Sequence, residues 1–381
     1  MPNLPSSLAA RAPFVLAAAL HVIAGCSSPA NSGDDDDIVV DQFDATASGG
    51  SVFTLRRDAR KCAAPACGGY FVARPNRPTT TCADGKPRAE CYVAAVDLAP
   101  SGLTATQQET VLAAVSPTSA FVRVLVRGVM KRGPTVSGVS HGTLSVTEAH
   151  LAPEVTTLSG TLHRISTASN CPAKSCTVLR QQDANTSTTR GLSFLDVTAL
   201  GGGSASNGAL AGAYSTTGLL ALGKTEGDSG SRVMKVSQVF ERVVPGAPLC
   251  GAALDSALAS AAKGWLWMSE SDYPVVPFAA EAPASSPLTE DDVRALVGAD
   301  ESKPVDERSL AVFEGVGRNE PGMAPEEVEL AVRYRRLRHL LESNLTDVRV
   351  FYVGEVELDV VIVGRTACGK LAGVRTIAIE T

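Results

Sequence analysis

The sequence predicts an α+β protein in two unequal parts: a β-rich, disulfide-stapled region, then a module of helices packed on an antiparallel sheet. Three observations predict this. Short β-branched runs punctuated by Gly, Pro, Asn and Ser recur from Ser51 to Leu249. Most of the cysteines fall among those runs. A helical seam from Pro325 to Asn344 is followed by alternating strand patterns up to Ile379.

The chain has 381 residues, room for two or three domains, and an apolar share of 44% that lets each bury a core. A formal net charge of −6 argues against nucleic acid as a direct partner. The acidity is uneven, with about 22 acidic against about 13 basic side chains from Asp255 onward. The expected organisation is a signal peptide at 1–25, a tether at 26–50, the β-rich region at 51–249 and a final domain at 250–381.

Ala12 to Ala24 is an apolar run with the length of a signal-peptide core, too short to span a bilayer as a helix. It ends in Ile23-Ala24-Gly25-Cys26, which resembles the lipobox of bacterial lipoproteins. The resemblance implies that Cys26 becomes the acylated N-terminus and holds the protein to the cell envelope, in the periplasm or at the outer membrane or cell surface. An ordinary cleaved signal is the rival. Ser27 to Asp44, with Asp34 to Asp37, reads as a solvated tether.

Apart from Cys26 the cysteines are Cys62, Cys67, Cys82, Cys91, Cys171, Cys176, Cys250 and Cys368, an even set that reads as disulfides in an exported chain. Cys62–Cys67, Cys82–Cys91 and Cys171–Cys176 are plausible local pairs, though spacing leaves connectivity open. Cys250 and Cys368 either pair across a boundary or leave Cys368 free in a turn. A zinc site at Cys62, Cys67, Cys82 and Cys91 is the competing reading.

Strand patterns occur at Val52–Leu55, Gly69–Val72, Cys91–Val96 and Phe121–Val126, and Thr104 is placed to cap a helix over Leu103 to Ala114. Thr54-Leu55-Arg56 before Cys62-x4-Cys67 is echoed by Thr161-Leu162-His163 before Cys171-x4-Cys176. The echo suggests an internal repeat of about 100 residues, over 51–150 and 151–249. The first copy, with Cys67-Gly68-Gly69-Tyr70-Phe71-Val72 and Cys82-Ala83-Asp84-Gly85, is similar to an uncharacterised family of secreted cysteine-containing modules, a resemblance that supplies no activity.

Two fragments imitate catalytic motifs. Gly227-Asp228-Ser229-Gly230 has the letters around a chymotrypsin-like nucleophile, and Ser140-His141-Gly142-Thr143 those of a subtilisin-like histidine segment. A triad is a geometry on one scaffold, and these letters belong to two. Both read as polar loops, and no enzyme activity is expected. Gly201 to Gly208 reads as a flexible loop, since no Lys-Ser/Thr follows to make a phosphate cradle. Beyond the apolar leader run, which holds His21, the other histidines, His150, His163 and His339, are isolated, so no metal site and no cofactor are expected. Pro245 to Pro248 marks the boundary before the last domain.

In that domain Ala252 to Gly264 is a small-residue helix, followed by Trp265-Leu266-Trp267-Met268 and the polar turn Ser269 to Asp272. Thr289 caps a short helix carrying Asp291 and Asp292 at its positive end. Leu330, Tyr334, Leu337 and Leu341 form the seam of the long helix, with Arg333, Arg335, Arg336 and Arg338 read as a solvated face. Val356, Leu358, Val360 and Ile362 alternate with Glu355, Glu357 and Asp359, predicting a strand with one buried and one acidic, wet face.

Met268-Ser269-Glu270-Ser271-Asp272-Tyr273-Pro274, Ser343-Asn344-Leu345, Val353 to Val360, Leu371-Ala372-Gly373 and Glu380-Thr381 together resemble the nuclease A inhibitor family over about Leu254 to Thr381. The resemblance implies an α-β-α sandwich that inhibits secreted, magnesium-dependent, sugar-non-specific DNA/RNA endonucleases. It implies that Glu270 meets a nuclease arginine and that Thr381 reaches the partner's magnesium, with Glu380 and Asp272 beside them. The chemistry is coherent: carboxylates compete with phosphate for a cationic site, Glu270 through a charge-assisted pair and Thr381 through hard oxygen ligands. The expected function is therefore an exported, lipid-anchored nuclease inhibitor. The alternative is a structural or ligand-binding envelope lipoprotein whose inhibitor-like fold has lost inhibition.

Overall fold

The β-branched runs pair into two rings of strands, and the seam helix then joins the second ring to a separate sheet. The structure is a computed structural model that describes residues 50–118, 122–133, 135–136, 139–156, 160–167, 179–201, 204–215, 217–228, 231–283, 287–311 and 317–380. The calls on Cys26, Cys171, Cys176, Ser229 and Thr381 lie outside the described residues.

The first ring contains β1 (Ser51–Arg57), β2 (Tyr70–Ala73), β3 (Cys91–Asp97), α1 (Ala105–Ala113), β4 (Val122–Lys131) and β5 (Gly142–Thr156). Strand β1 pairs antiparallel with β2 and β4, β2 with β3, and β4 with β5, while β3 runs parallel to β5 and closes the ring. Thr104 caps α1 reciprocally with Gln107, and Val111 drops from that helix into an interior of Phe53, Leu55, Val72, Val93, Val126 and Leu144.

The second ring contains β6 (Thr161–Thr167), β7 (Leu179–Asp183), β8 (Thr189–Leu192), β9 (Phe194–Asp196), α2 (Ser204–Ala213), β10 (Leu219–Glu226) and β11 (Val233–Arg242). Its pairing scheme is the same: β6 with β7 and β10, β7 with β8, and β10 with β11, all antiparallel, and β9 parallel to β11. Here the closing strand is interrupted at Ser193, between β8 and β9. In both rings the strand pair before the end carries a bulge, at Arg127/Gly128 and at Leu222/Gly223. Those glycines are required there, because a Cβ would lie 2.2 Å from the Ser145 carbonyl oxygen or 2.3 Å from that of Lys235.

By register, Val52 corresponds to Leu162 and Leu55 to Ile165, since Val52 faces Arg127 beside one bulge and Leu162 faces Leu222 beside the other. The Thr54/Thr161 alignment drawn from the letters is therefore out of step by three residues. A core of Val52, Leu125, Leu162, Leu220, Leu222 and Phe240 packs the rings together.

The C-terminal part contains α3 (Ala252–Ala262), β12 (Val276–Ala280), α4 (Glu290–Val297), β13 (Val305–Arg308), α5 (Pro325–Asn344), β14 (Leu345–Gly354), β15 (Glu357–Thr366) and β16 (Leu371–Ile379). The sheet is antiparallel throughout, in the order β12-β16-β15-β14-β13. Leu254 and Leu258 of α3 and Tyr334, Leu337 and Leu341 of α5 cover the face carrying Val350, Val360, Ile362 and Val374. Val293 of α4 covers the face carrying Phe351, Val353, Val361 and Val363. Disulfides join Cys62 to Cys67, Cys82 to Cys91 and Cys250 to Cys368, the last tying the start of α3 to the β15–β16 turn.

One rival reading falls and three expectations need correction. Cys62, Cys67, Cys82 and Cys91 are disulfide-bonded, so they do not form a zinc site. The expected Gly/Ser loop is in part helix α2, from Ser204 on. Its low intrinsic propensity is outweighed by burial of Ala209, Leu210 and Ala213 in the second ring. The arginine face of α5 is not simply solvated: Arg335 and Arg338 are buried, because Val328 and Val332 of α5 pack against that ring. The acidic face of β15 is wet only at its start, since Val361 and Val363 lie beneath α4. There Asp359 is pushed above the ordinary carboxylate range by partial burial.

Candidate partner-binding site

Just past the end of helix α3 comes Gly264, whose φ of +74° turns the chain sharply. Trp265 then inserts into the core and lies 3.7 Å, centroid to centroid, from Tyr334 of α5. Burial, helped by Asp272, pushes the Tyr334 hydroxyl up to about 12, so it remains a neutral donor to the Leu266 carbonyl. This anchor fixes the base of the Met268–Asp272 turn. The Trp265–Met268 run is thus divided: Trp265 is buried, while Leu266 and Met268 are exposed.

The turn is bound to the last described strand. The Ser269 hydroxyl accepts the Ile379 N–H at 3.1 Å and donates to the Ser271 carbonyl at 2.5 Å. The Glu270 N–H donates to the Ile379 carbonyl at 3.4 Å. Both main-chain groups of Ile379 are therefore taken by residues 269–270. Glu270 and Asp272 are exposed beside the strand end, and Val356 and Met268 form exposed apolar ground there.

Glu380 sits differently. Its N–H donates to the Val356 carbonyl at 3.0 Å, and its carboxylate takes two 3.1 Å hydrogen bonds from Arg308 of β13. Arg308 also binds Asp306 and lies 3.8 Å above the Tyr352 ring. The bonds to Glu380 and then Asp306 raise the guanidinium above its ordinary range, so it stays charged throughout the working pH range. This fork closes the far edge of the sheet over the strand end.

The structure thus brings Glu270, Asp272 and Glu380 around one end of the sheet; Thr381 and Cys26 are outside the described residues. Sequence reasoning missed Ser269 as the side chain joining turn to strand, although it lies in the segment that carried the resemblance. It also missed Arg308, for which no local signal exists: it is 72 residues from Glu380. Of the catalytic look-alikes, His141 packs edge-on against Tyr92, and Gly227 and Asp228 form the β10–β11 turn, where the Ser231 N–H donates to the Asp228 carbonyl. Among the described residues, no group of three His, Cys, Asp or Glu side chains is placed to hold a metal ion.

Residues 252–381 match the family described as nuclease A inhibitor-like protein. Residues 51–240 match a domain of unknown function, DUF6748. No curated protein matches the chain.

Proposed function

We propose that the protein is an exported, lipid-anchored inhibitor of a magnesium-dependent, sugar-non-specific endonuclease. The observation that carries this is the capture of Ile379 by Ser269 and Glu270, which holds an exposed carboxylate next to the end of β16. In the proposed complex Glu270 pairs with an arginine of the nuclease, and the Thr381 hydroxyl and carboxylate approach its magnesium. Asp272 and Glu380 add negative potential that speeds encounter with a cationic cleft. The sandwich architecture of the inhibitor family is supported by helices lying on both faces of the sheet. Duplication of the middle region is supported by the shared pairing scheme of the two rings. Cys26 is the proposed acylation site, which sets the inhibitor in the envelope.

The test is a cleavage assay. The chain beginning at Ser27, at micromolar concentration, is expected to slow DNA hydrolysis by endonucleases of this class. Glu270→Ala, or one residue added after Thr381, weakens the effect by about tenfold or more. Undiminished cleavage across such enzymes rejects the reading. Cys26→Ala is expected to release the protein from the membrane fraction.

The second reading, an envelope lipoprotein whose binding surface lies in the rings, is favoured by the separate family match over 51–240. It requires that captured partners follow residues 51–249 and ignore changes at Glu270.

A further inference from the structure

Helix α5 carries a buried cation that the inhibitor reading does not use. Arg335 is 2% exposed, on the face turned to the second ring. Its Nε donates to the Gly317 carbonyl at 2.7 Å and its Nη2 to the Arg318 carbonyl. Among the described residues no carboxylate pairs with it, and Nη1 has no acceptor. This contrasts with its neighbours on the helix, since Arg333 is paired with Glu329 and Arg338 with Glu342. A desolvated guanidinium without a counter-charge is costly, and an anion bound beside it would offset that cost. Burial pulls Arg335 down to about 10, which leaves it protonated at neutral pH.

Arg335 lines a cavity of about 220 Å³ at the junction of the second ring and the C-terminal part. Leu192, Phe194 and Met323 give it an apolar wall; Tyr214, Asn319 and Glu320 give it polar ones. Asn319 is held in place by a 2.8 Å bond from its amide to the Leu195 carbonyl. A cleft between two folded parts, with apolar side chains and a few convergent polar groups in its wall, is a usual form of a small-molecule site. We propose that this cavity binds a small organic carboxylate, its oxygens on the unsatisfied edge of Arg335 and its body against Leu192 and Phe194.

Benzoate is the probe, and benzamide its neutral twin, in ligand-observed NMR titration of the chain beginning at Ser27. Benzoate binds saturably, and benzamide binds about tenfold more weakly or less. Arg335→Met removes benzoate binding. Because Arg335 also holds two carbonyls, a second variant keeps the test independent of folding. Glu320→Gln removes an anion from the cavity wall and tightens benzoate by roughly threefold while leaving benzamide unchanged. Three results each overturn the site: no saturable benzoate binding below about 10 mM, equal binding of the two probes, or a folded Glu320→Gln protein with unchanged benzoate affinity.

Discussion

The two rings share one pairing scheme and hold it with different chemistry. In the first, the equivalent interior positions are Phe53 and Val72, and β3 begins with Cys91, bonded to Cys82. In the second, register places His163 and Gln181 at the same two positions and Arg190 opposite Gln181, as Cys91 is opposite Val72. All four interior residues are buried. The His163 ring lies 2.8 Å from Asp183, which also binds Arg190 at 2.9 Å, and Gln181 bridges His163 and Thr225. At these positions one ring is therefore apolar with a covalent staple beside them, and the other sets a satisfied polar network into its apolar core. A strand order can be pinned by either, but only the network ties the fold to protonation.

What the rings share most closely is the contact between them. The Asn76 amide donates to the Leu162 and Ala184 carbonyls and accepts the Leu162 N–H. The Asn185 amide donates to the Val52 and Pro75 carbonyls and accepts the Val52 N–H. Each ring thus lends one asparagine to the first strand of the other, and both asparagines sit at positive φ, 63° and 60°. Asn185→Gly keeps that backbone accessible and strips the amide, leaving buried backbone groups of β1 unsatisfied; about 3 kcal/mol should be lost in denaturant unfolding. Asn76→Gly should cost a similar amount. A difference of about 2 kcal/mol or more between them breaks the equivalence of the two contacts.

The next largest effect separates the rings. Replacing Cys82 and Cys91 by alanine opens a short loop and should cost about 2–3 kcal/mol. Amide exchange should accelerate in β1–β5 and stay slow in β6–β11. Equal acceleration in both would mean that the rings unfold as one cooperative unit.

The elements with local signals were legible in the sequence. The caps at Thr104 and Thr289, the Tyr334–Leu337–Leu341 seam and the period-two start of β15 all depend on neighbours within a few residues. Three features were not legible. The asparagine exchange joins residues 133 positions apart for Val52 and Asn185, and nothing near either asparagine announces it. Helix α2 has Gly and Ser where helices disfavour them, and tertiary packing reverses that preference. At the candidate site the carboxylates were legible through the resemblance. The groups that position them, Ser269 and Arg308, were not, because their partners arrive only when the sheet closes.

The smallest expected effect bears most directly on why the rings differ. Burial is the largest influence on His163 and depresses its pKa, against the pull of Asp183. His150, at the junction of the rings, is depressed by burial too. A depressed histidine binds its proton more readily when unfolded, so the unfolded state gains protons first as pH falls. Stability is then complete above the ordinary histidine value of 6.5 and declines as pH drops below it toward the folded values. The melting temperature should fall between about pH 7.5 and 5.5. His163→Phe with Gln181→Val gives the second ring the interior pair of the first and should flatten part of that decline, leaving the share of His150. His163→Phe alone should be less stable than the double variant, because it orphans the Gln181 amide in an apolar interior. If the double variant keeps the full decline, the second ring's network does not report pH, and the dependence belongs to the junction at His150.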